Sequence, residues 1–278
     1  MSETGDCKDL IGVIHLPTLP GAPLYRGERL DDIIHYAVEE AERYKQAGFS
    51  AVIVENYGDK PFSIEVSKPQ AVSLALIASS VRREVNGISV GVNVLRNDAY
   101  TALTIAVLAG LDYVRVNSLC EVRVSGEGIL YPAARRLVEA ARELNAIDTL
   151  VNGRLRILAD VNVKHSMPLA SYSVQEASLD CIERLGFKPW ALVVSGSRTG
   201  EPPDTSSLES VAWIAHGHGV KVYVGSGVSP ENIHAFIDLV DGFIIGSSVK
   251  AGARPEGRVD PVKASMLADI VRGSRGSC

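Results

Sequence analysis

No apolar run in this chain approaches the ~20 residues that a membrane-spanning helix requires. The expectation is therefore a protein without a transmembrane segment. Cysteine is scarce, and Cys7, Cys120, Cys181 and Cys278 show neither the paired spacing of a zinc site nor that of a redox motif. Cys120 and Cys181 are read as small apolar packing residues. An excess of positive charge is also missing. A formal charge of -5 and a pI near 5.7 leave no basic face for nucleic acid. The opening Met1-Ser-Glu-Thr-Gly-Asp-Cys7 is polar and acidic and does not read as a signal peptide, so the simplest location is cytoplasmic. With no linker-like or low-complexity stretch, residues 1–278 read as one domain, with 273–278 as a frayed tail.

What the chain does contain is a repeated alternation of short apolar strands and amphipathic helices. Strands are read at 10–15, 51–56, 88–94, 112–117, from 154, 190–195, 220–224 and 241–245. A helix follows each one. Leu30, Ile33, Ile34, Ala37, Val38, Ala41 and Tyr44 recur at helical spacing before Gly48. Further helices are placed at 69–85, 98–109, from Pro132 through Leu144, and at 173–185. A capping box at Ser206 and Glu209 opens another, Ser229-Pro230 opens the next, and the last spans 261–271. Residues 118–129 read as a long polar loop. Strict alternation implies a parallel sheet. Eight units in 278 residues favour an α/β fold of the single (β/α)8 TIM-barrel kind over an open doubly wound sheet. The open sheet would also want a glycine-rich turn after its first strand, where this chain has Pro17-Thr-Leu-Pro-Gly21.

A barrel of this kind collects its reactive groups at the carboxyl ends of its strands. Those ends hold His15, Glu55, Asn93, Arg115, Asn117, Ser195 and the run from Asp160 to His165. Alternation turns Asn93 away from Val92 and Val94, and Arg115 and Asn117 away from Val114 and Val116, so the polar set faces the barrel interior. By the same rule Leu158, Asp160, Asn162 and Lys164 share a face. Asp160, Lys164 and Glu55 are the candidate proton-handling groups; His165 and His15 are candidate acid/bases, and Asn93, Arg115 and Asn117 orient oxygens. The competing structural readings are an Asp160–Lys164 ion pair, a structural hydrogen bond for His165, and capping of the following helix by Asn97 and Asp98. A divalent ion held by His15, Glu55 and Asp160 has no spacing argument, and no metal or cofactor is assigned. Gly225-Ser226-Gly227 after the seventh strand and Gly246-Ser247-Ser248 after the eighth stand where such barrels bind phosphate. Lys250 is read as an exposed lysine, and Thr199-Gly-Glu-Pro-Pro203 as a mobile loop able to close over the mouth, with a passive turn the more economical reading.

Several of these strings resemble the BtpA family over nearly the whole chain. They are His15-Leu-Pro-Thr-Leu-Pro-Gly21, Glu55-Asn-Tyr-Gly-Asp-Lys-Pro-Phe62, Gly91-Val-Asn-Val-Leu-Arg-Asn-Asp98, Arg115-Val-Asn117, Leu158-Ala-Asp-Val-Asn-Val-Lys-His165, Ser195-Gly-Ser-Arg-Thr-Gly200 and Val224-Gly-Ser-Gly-Val228. The resemblance implies a TIM barrel related to the ribulose-phosphate-binding barrels. It implies no established catalytic residues, and it ties the family name to photosystem I accumulation in cyanobacteria. The family pattern often has histidine where this chain has Asn162, which argues against proton transfer at that position. The leading expectation is an enzyme for a small phosphorylated, sugar-like or nucleoside-like metabolite, with isomerase, lyase and hydrolase chemistry open. The alternatives are a non-enzymatic assembly or stability factor and a metabolite sensor; a homo-oligomer fits any of the three.

Overall fold

Strand alternation and helix capping account for most of the architecture in the computed structural model, which describes residues 8–196 and 200–274. In chain order the elements are β1 (Asp9–His15), α1 (Leu30–Gln46), β2 (Ala51–Glu55), α2 (Lys68–Glu84), β3 (Ser89–Asn93), α3 (Ala99–Ala109) and β4 (Tyr113–Val116). After these come β5 (Arg123–Ser125), β6 (Gly128–Leu130), α4 (Ala134–Glu143), α5 (Ile147–Val151), β7 (Arg156–Val161), β8 (Ser166–Pro168) and α6 (Val174–Glu183). The chain continues through β9 (Ala191–Val194), α7 (Thr205–Gly217), β10 (Lys221–Val224), β11 (Gly242–Ile245) and α8 (Pro261–Gly273). Eight parallel strands close into a barrel in the order β1-β11-β10-β9-β7-β4-β3-β2.

Two apolar layers follow from the period-two pattern. One set of strand residues, including Ile11, Val13, Ile53, Tyr113, Leu158 and Tyr223, fills the barrel interior. The other set, including Val52, Val92, Val114 and Val116, packs against the surrounding helices. Helix starts are fixed by side chains that accept from otherwise unpaired N–H groups. Ser67 with Gln70 and Ser173 with Glu176 form capping boxes on α2 and α6, and Asp98 caps α3 through the Thr101 N–H. Gly110, at φ 64°, closes α3 in the left-handed conformation that glycine tolerates.

Four sequence expectations are corrected. Cys120 and Cys181 are joined in a disulfide rather than packing as free thiols; Cys7 and Cys278 lie outside the described residues. The polar 118–129 loop carries a hairpin, and β8 adds to it as the third antiparallel strand of a small sheet β6-β5-β8. Helix α7 is capped by Asp204, which accepts from the Ser207 N–H, not by a Ser206 capping box. Ser229-Pro230 does not open an α-helix: a single 3-10 turn at Ile233–Ala235 stands there. The cause is Asn232, whose side chain accepts from the Ser229 N–H at 2.8 Å and donates to Gly227 O at 2.8 Å. That local pairing competes with a helical ladder.

Candidate functional site

One row of strand register builds the site. His15 lies opposite Glu55, Glu55 opposite Asn93, and Asn93 opposite Arg115. Four consecutive barrel strands therefore deliver polar side chains at one height into the mouth, above the apolar interior. Asn93 Nδ2 donates to Glu55 Oε2 at 2.7 Å. His15 Nε2 lies 3.8 Å from the other carboxylate oxygen, Oε1.

Arg115 and Asp160 form the deepest polar pair, each 2% exposed. Arg115 Nε and Nη2 donate to the two Asp160 oxygens at 2.8 and 3.0 Å, and Asn117 Nδ2 adds a third bond at 2.9 Å. Burial works against the Arg115 charge, yet Asp160 holds its pKa above the ordinary value. A fork of this kind commits Asp160 to its neighbours, and it does not line the central cavity.

Lys164 reaches the mouth by a different route from the one alternation predicts. β7 ends at Val161, and Asn162 turns the chain at φ 54°. Asn162 is consequently exposed and accepts from Arg123 Nη2 at 3.4 Å, so it does not share the Asp160 face. Glu121 accepts from the Asn162 N–H at 3.1 Å and pairs with Arg123 at 2.8 Å, while Arg123 Nε donates to Ser166 Oγ at 2.6 Å. Arg96 Nη2 donates to the Lys164 carbonyl at 2.8 Å. These bonds hold the loop that carries Lys164. Burial, and then the Arg115 guanidinium, lower the Lys164 pKa. His165 follows at φ 57° and is exposed, on the outer wall of the mouth.

Lys250 is the largest departure from the sequence reading. Instead of being exposed it is 0% exposed, and its ammonium donates to His15 Nδ1 and Pro255 O, both at 3.0 Å. An ammonium only donates, so Nδ1 accepts and the ring proton of a neutral His15 resides on Nε2. Burial, then the positive charge of Lys250, keep the His15 pKa well below its ordinary value. Burial also brings Lys250 down to about 8. Little in the sequence marks this lysine, because it sits past the strand end with its partner 235 residues away.

A cavity of about 280 Å³ is lined by Gly225 to Ser229 and Gly246 to Ser248 together with His15, Glu55, Arg115 and Lys164. Among the described residues, the N–H groups of Gly227, Val228, Ser247 and Ser248 form no backbone hydrogen bond. Gly227 has φ 71°, and a Cβ there would lie 2.1 Å from Pro202 N; a Cβ on Gly246 would meet His15 Cε1 at 2.9 Å. Ser226 Oγ donates to Glu201 O at 3.1 Å, which brings the 200–203 segment over the cavity. Thr199, at the head of that segment, lies outside the described residues. The buried Ser195 Oγ has no partner among them and faces Gly225. A second cavity of about 610 Å³ shares Glu55, Arg115 and Lys164 with the first and extends past Tyr57, Phe62, Leu95 and Asn117. Asn97, read as a cap, instead braces the Ser118 backbone through its side chain. No three His, Cys, Asp or Glu among the described residues converge as a metal site would require.

A sequence profile described as BtpA family matches residues 6–273. An uncharacterized protein of Pyrococcus horikoshii is 42% identical over 268 residues, covering 96% of this chain and 97% of its own. The photosystem I biogenesis protein BtpA of Synechocystis is 35% identical over 263 residues, covering 94% of this chain and 87% of its own. Among solved structures, phosphoribosyl anthranilate isomerase from Thermus thermophilus superposes with a TM-score of 0.56 at 14% identity, covering 96% of this chain and all of that one. At that identity the likeness concerns the barrel.

Proposed function

The chain belongs to the BtpA family, and within it we propose an enzyme that acts on a small phosphorylated, sugar-like or nucleoside-like metabolite at the carboxyl-terminal mouth of its barrel. The observation that carries this reading is the first cavity. It brings together serine hydroxyls, backbone N–H groups that form no backbone hydrogen bond among the described residues, and Glu55, His15 and Lys164 around a space of about 280 Å³.

In this reading the phosphate rests on Gly225-Ser226-Gly227 and Gly246-Ser247-Ser248, where the glycines let N–H groups approach its oxygens and the serine hydroxyls stand beside them. Glu55 takes and returns a proton, steadied by Asn93. His15, neutral and held by Lys250, offers its Nε2–H to a substrate oxygen. Lys164 stabilises negative charge that develops there. A base, a neutral donor and a nearby cation suit proton abstraction next to a carbonyl, the step shared by isomerases and many lyases. Asp160 serves as the partner that fixes Arg115 and Asn117, which orient substrate oxygens, and is no longer the leading proton carrier. Crystals soaked in ribose 5-phosphate test the reading. Density for the phosphate between the two loops is expected, and an anion bound elsewhere or not at all would sink it.

A second reading, an assembly factor, draws on the Synechocystis relative's name and on an exposed apolar stripe between α2 and α3. Val72 is 60%, Leu76 48% and Leu108 72% exposed there. It expects Leu76→Glu with Leu108→Glu to abolish biological activity, and Lys164→Met to leave it intact. A sensor would share the pocket, and product analysis separates it from an enzyme.

A further inference from the structure

Glu55, Arg115 and Lys164 line both cavities of the mouth, so the two adjoin at these residues. We propose that the substrate is a phosphosugar carrying a planar ring, with the phosphate in the first cavity and the ring in the second. The sugar would then lie over Glu55 and Lys164. This inference rests on the phosphate reading above and names the part of the substrate that reading leaves open.

Three features of the second cavity support it. The first is size and wall chemistry: at about 610 Å³ it is more than twice the first cavity, and Pro61, Phe62 and Leu95 give it an apolar side. A bare sugar phosphate would leave that side in water. Charge is the second. Arg96 already faces Glu127 at 3.4 Å, Arg115 is matched by Asp160, and the Lys60 ammonium lies 3.5 Å over the Tyr57 ring. Arg96 and Arg115 each face a carboxylate, and Glu127 places a negative charge in the wall, so this cavity receives a second phosphate less well than an uncharged group. The third is Asn117. Its Nδ2 is bonded to Asp160, while its Oδ1 is buried with no donor among the described residues. A buried acceptor left unpaired is costly, and a ring bearing an N–H or O–H donor would satisfy it. A heterocycle or an arylamine joined to the sugar meets all three conditions.

Calorimetric titration of the full chain with inorganic phosphate, ribose 5-phosphate, uridine 5′-monophosphate and inosine 5′-monophosphate tests the proposal. At least one nucleotide is expected to bind about tenfold or more tightly than ribose 5-phosphate, the scale of burying one ring face. Phe62→Ala should remove that advantage. Its affinity for inorganic phosphate should stay unchanged, which also certifies that the variant is folded. Equal affinity of the nucleotides and ribose 5-phosphate, with phosphate binding intact, overturns the inference and leaves the phosphate reading standing. So does a Phe62→Ala variant that weakens every ligand alike. Failure of all the probes, phosphate included, overturns both.

Discussion

A lysine with no solvent exposure costs stability at neutral pH, and Lys250 shows how much. Burial brings its pKa from 10.5 to about 8, and each unit is worth about 1.4 kcal/mol. The folded-state value is depressed, so between about pH 8 and 10.5 the unfolded chain binds more protons than the folded one. Stability contributed by this group therefore rises with pH across that window. Replacing it by a similar apolar side chain, Lys250→Met, is expected to stabilise the fold at pH 7 by about 1–3 kcal/mol, less its two hydrogen bonds. The advantage should fade above pH 10, as urea denaturation at a series of pH values would register. In the same variant the His15 pKa should rise, because the Lys250 charge is removed; imidazole nuclear magnetic resonance titration reads this directly. A variant less stable than the parent at every pH would sink this account of Lys250. Asp160 behaves oppositely. Asp160→Ala leaves the Arg115 guanidinium buried without its partner, and a loss of about 3–5 kcal/mol is expected. Unaltered stability with lost turnover would instead return Asp160 to the chemistry.

At the scale of elements, the small sheet β6-β5-β8 and the disulfide act together. Cys120 follows β4 and Cys181 lies in α6, 61 residues apart. Closing a loop of that length restricts the unfolded chain by roughly 4 kcal/mol in the chain-entropy account. Cys120→Ser with Cys181→Ser should lower unfolding free energy by up to about that amount, measured in urea without reductant. An unchanged midpoint would show that the bond is not formed in the purified protein. The one-turn segment after β10 carries another prediction. Asn232→Ala removes bonds to the Ser229 N–H and Gly227 O, each worth about 1 kcal/mol. Gly227 then loses its restraint, and affinity for inorganic phosphate should fall several-fold; calorimetry showing equal affinity would detach this turn from the site.

For the whole molecule, a ligand that binds only the folded barrel must stabilise it. At about 100 times its dissociation constant, inorganic phosphate should add about 2.7 kcal/mol, visible as a higher melting temperature than in chloride of equal ionic strength. Gly227→Ala places a Cβ against Pro202 N at a φ of 71°, so the variant should lose the phosphate-dependent increment whatever its own melting temperature. A Gly227→Ala protein that still responds to phosphate would move the anion site away from these loops.

The periodicities of the chain determined the barrel. Alternation placed Val92 and Val114 toward the helices and Asn93 and Arg115 toward the interior, because side chains on a strand cannot do otherwise. Capping chemistry made the start of α3 readable through Asp98, whereas the caps of α2 and α6 went unread and the box read at Ser206 and Glu209 gave way to Asp204. Only the closed tertiary structure decided which polar groups meet. The Arg115–Asp160 fork, the Lys250–His15 bond and the Cys120–Cys181 bridge join residues 45, 235 and 61 positions apart. No local pattern encodes such pairings. Asn162 escaped the alternation rule for the same reason. A left-handed turn stabilised by Glu121 and Arg123 ends the strand there, and those residues reach it from the segment that follows β4.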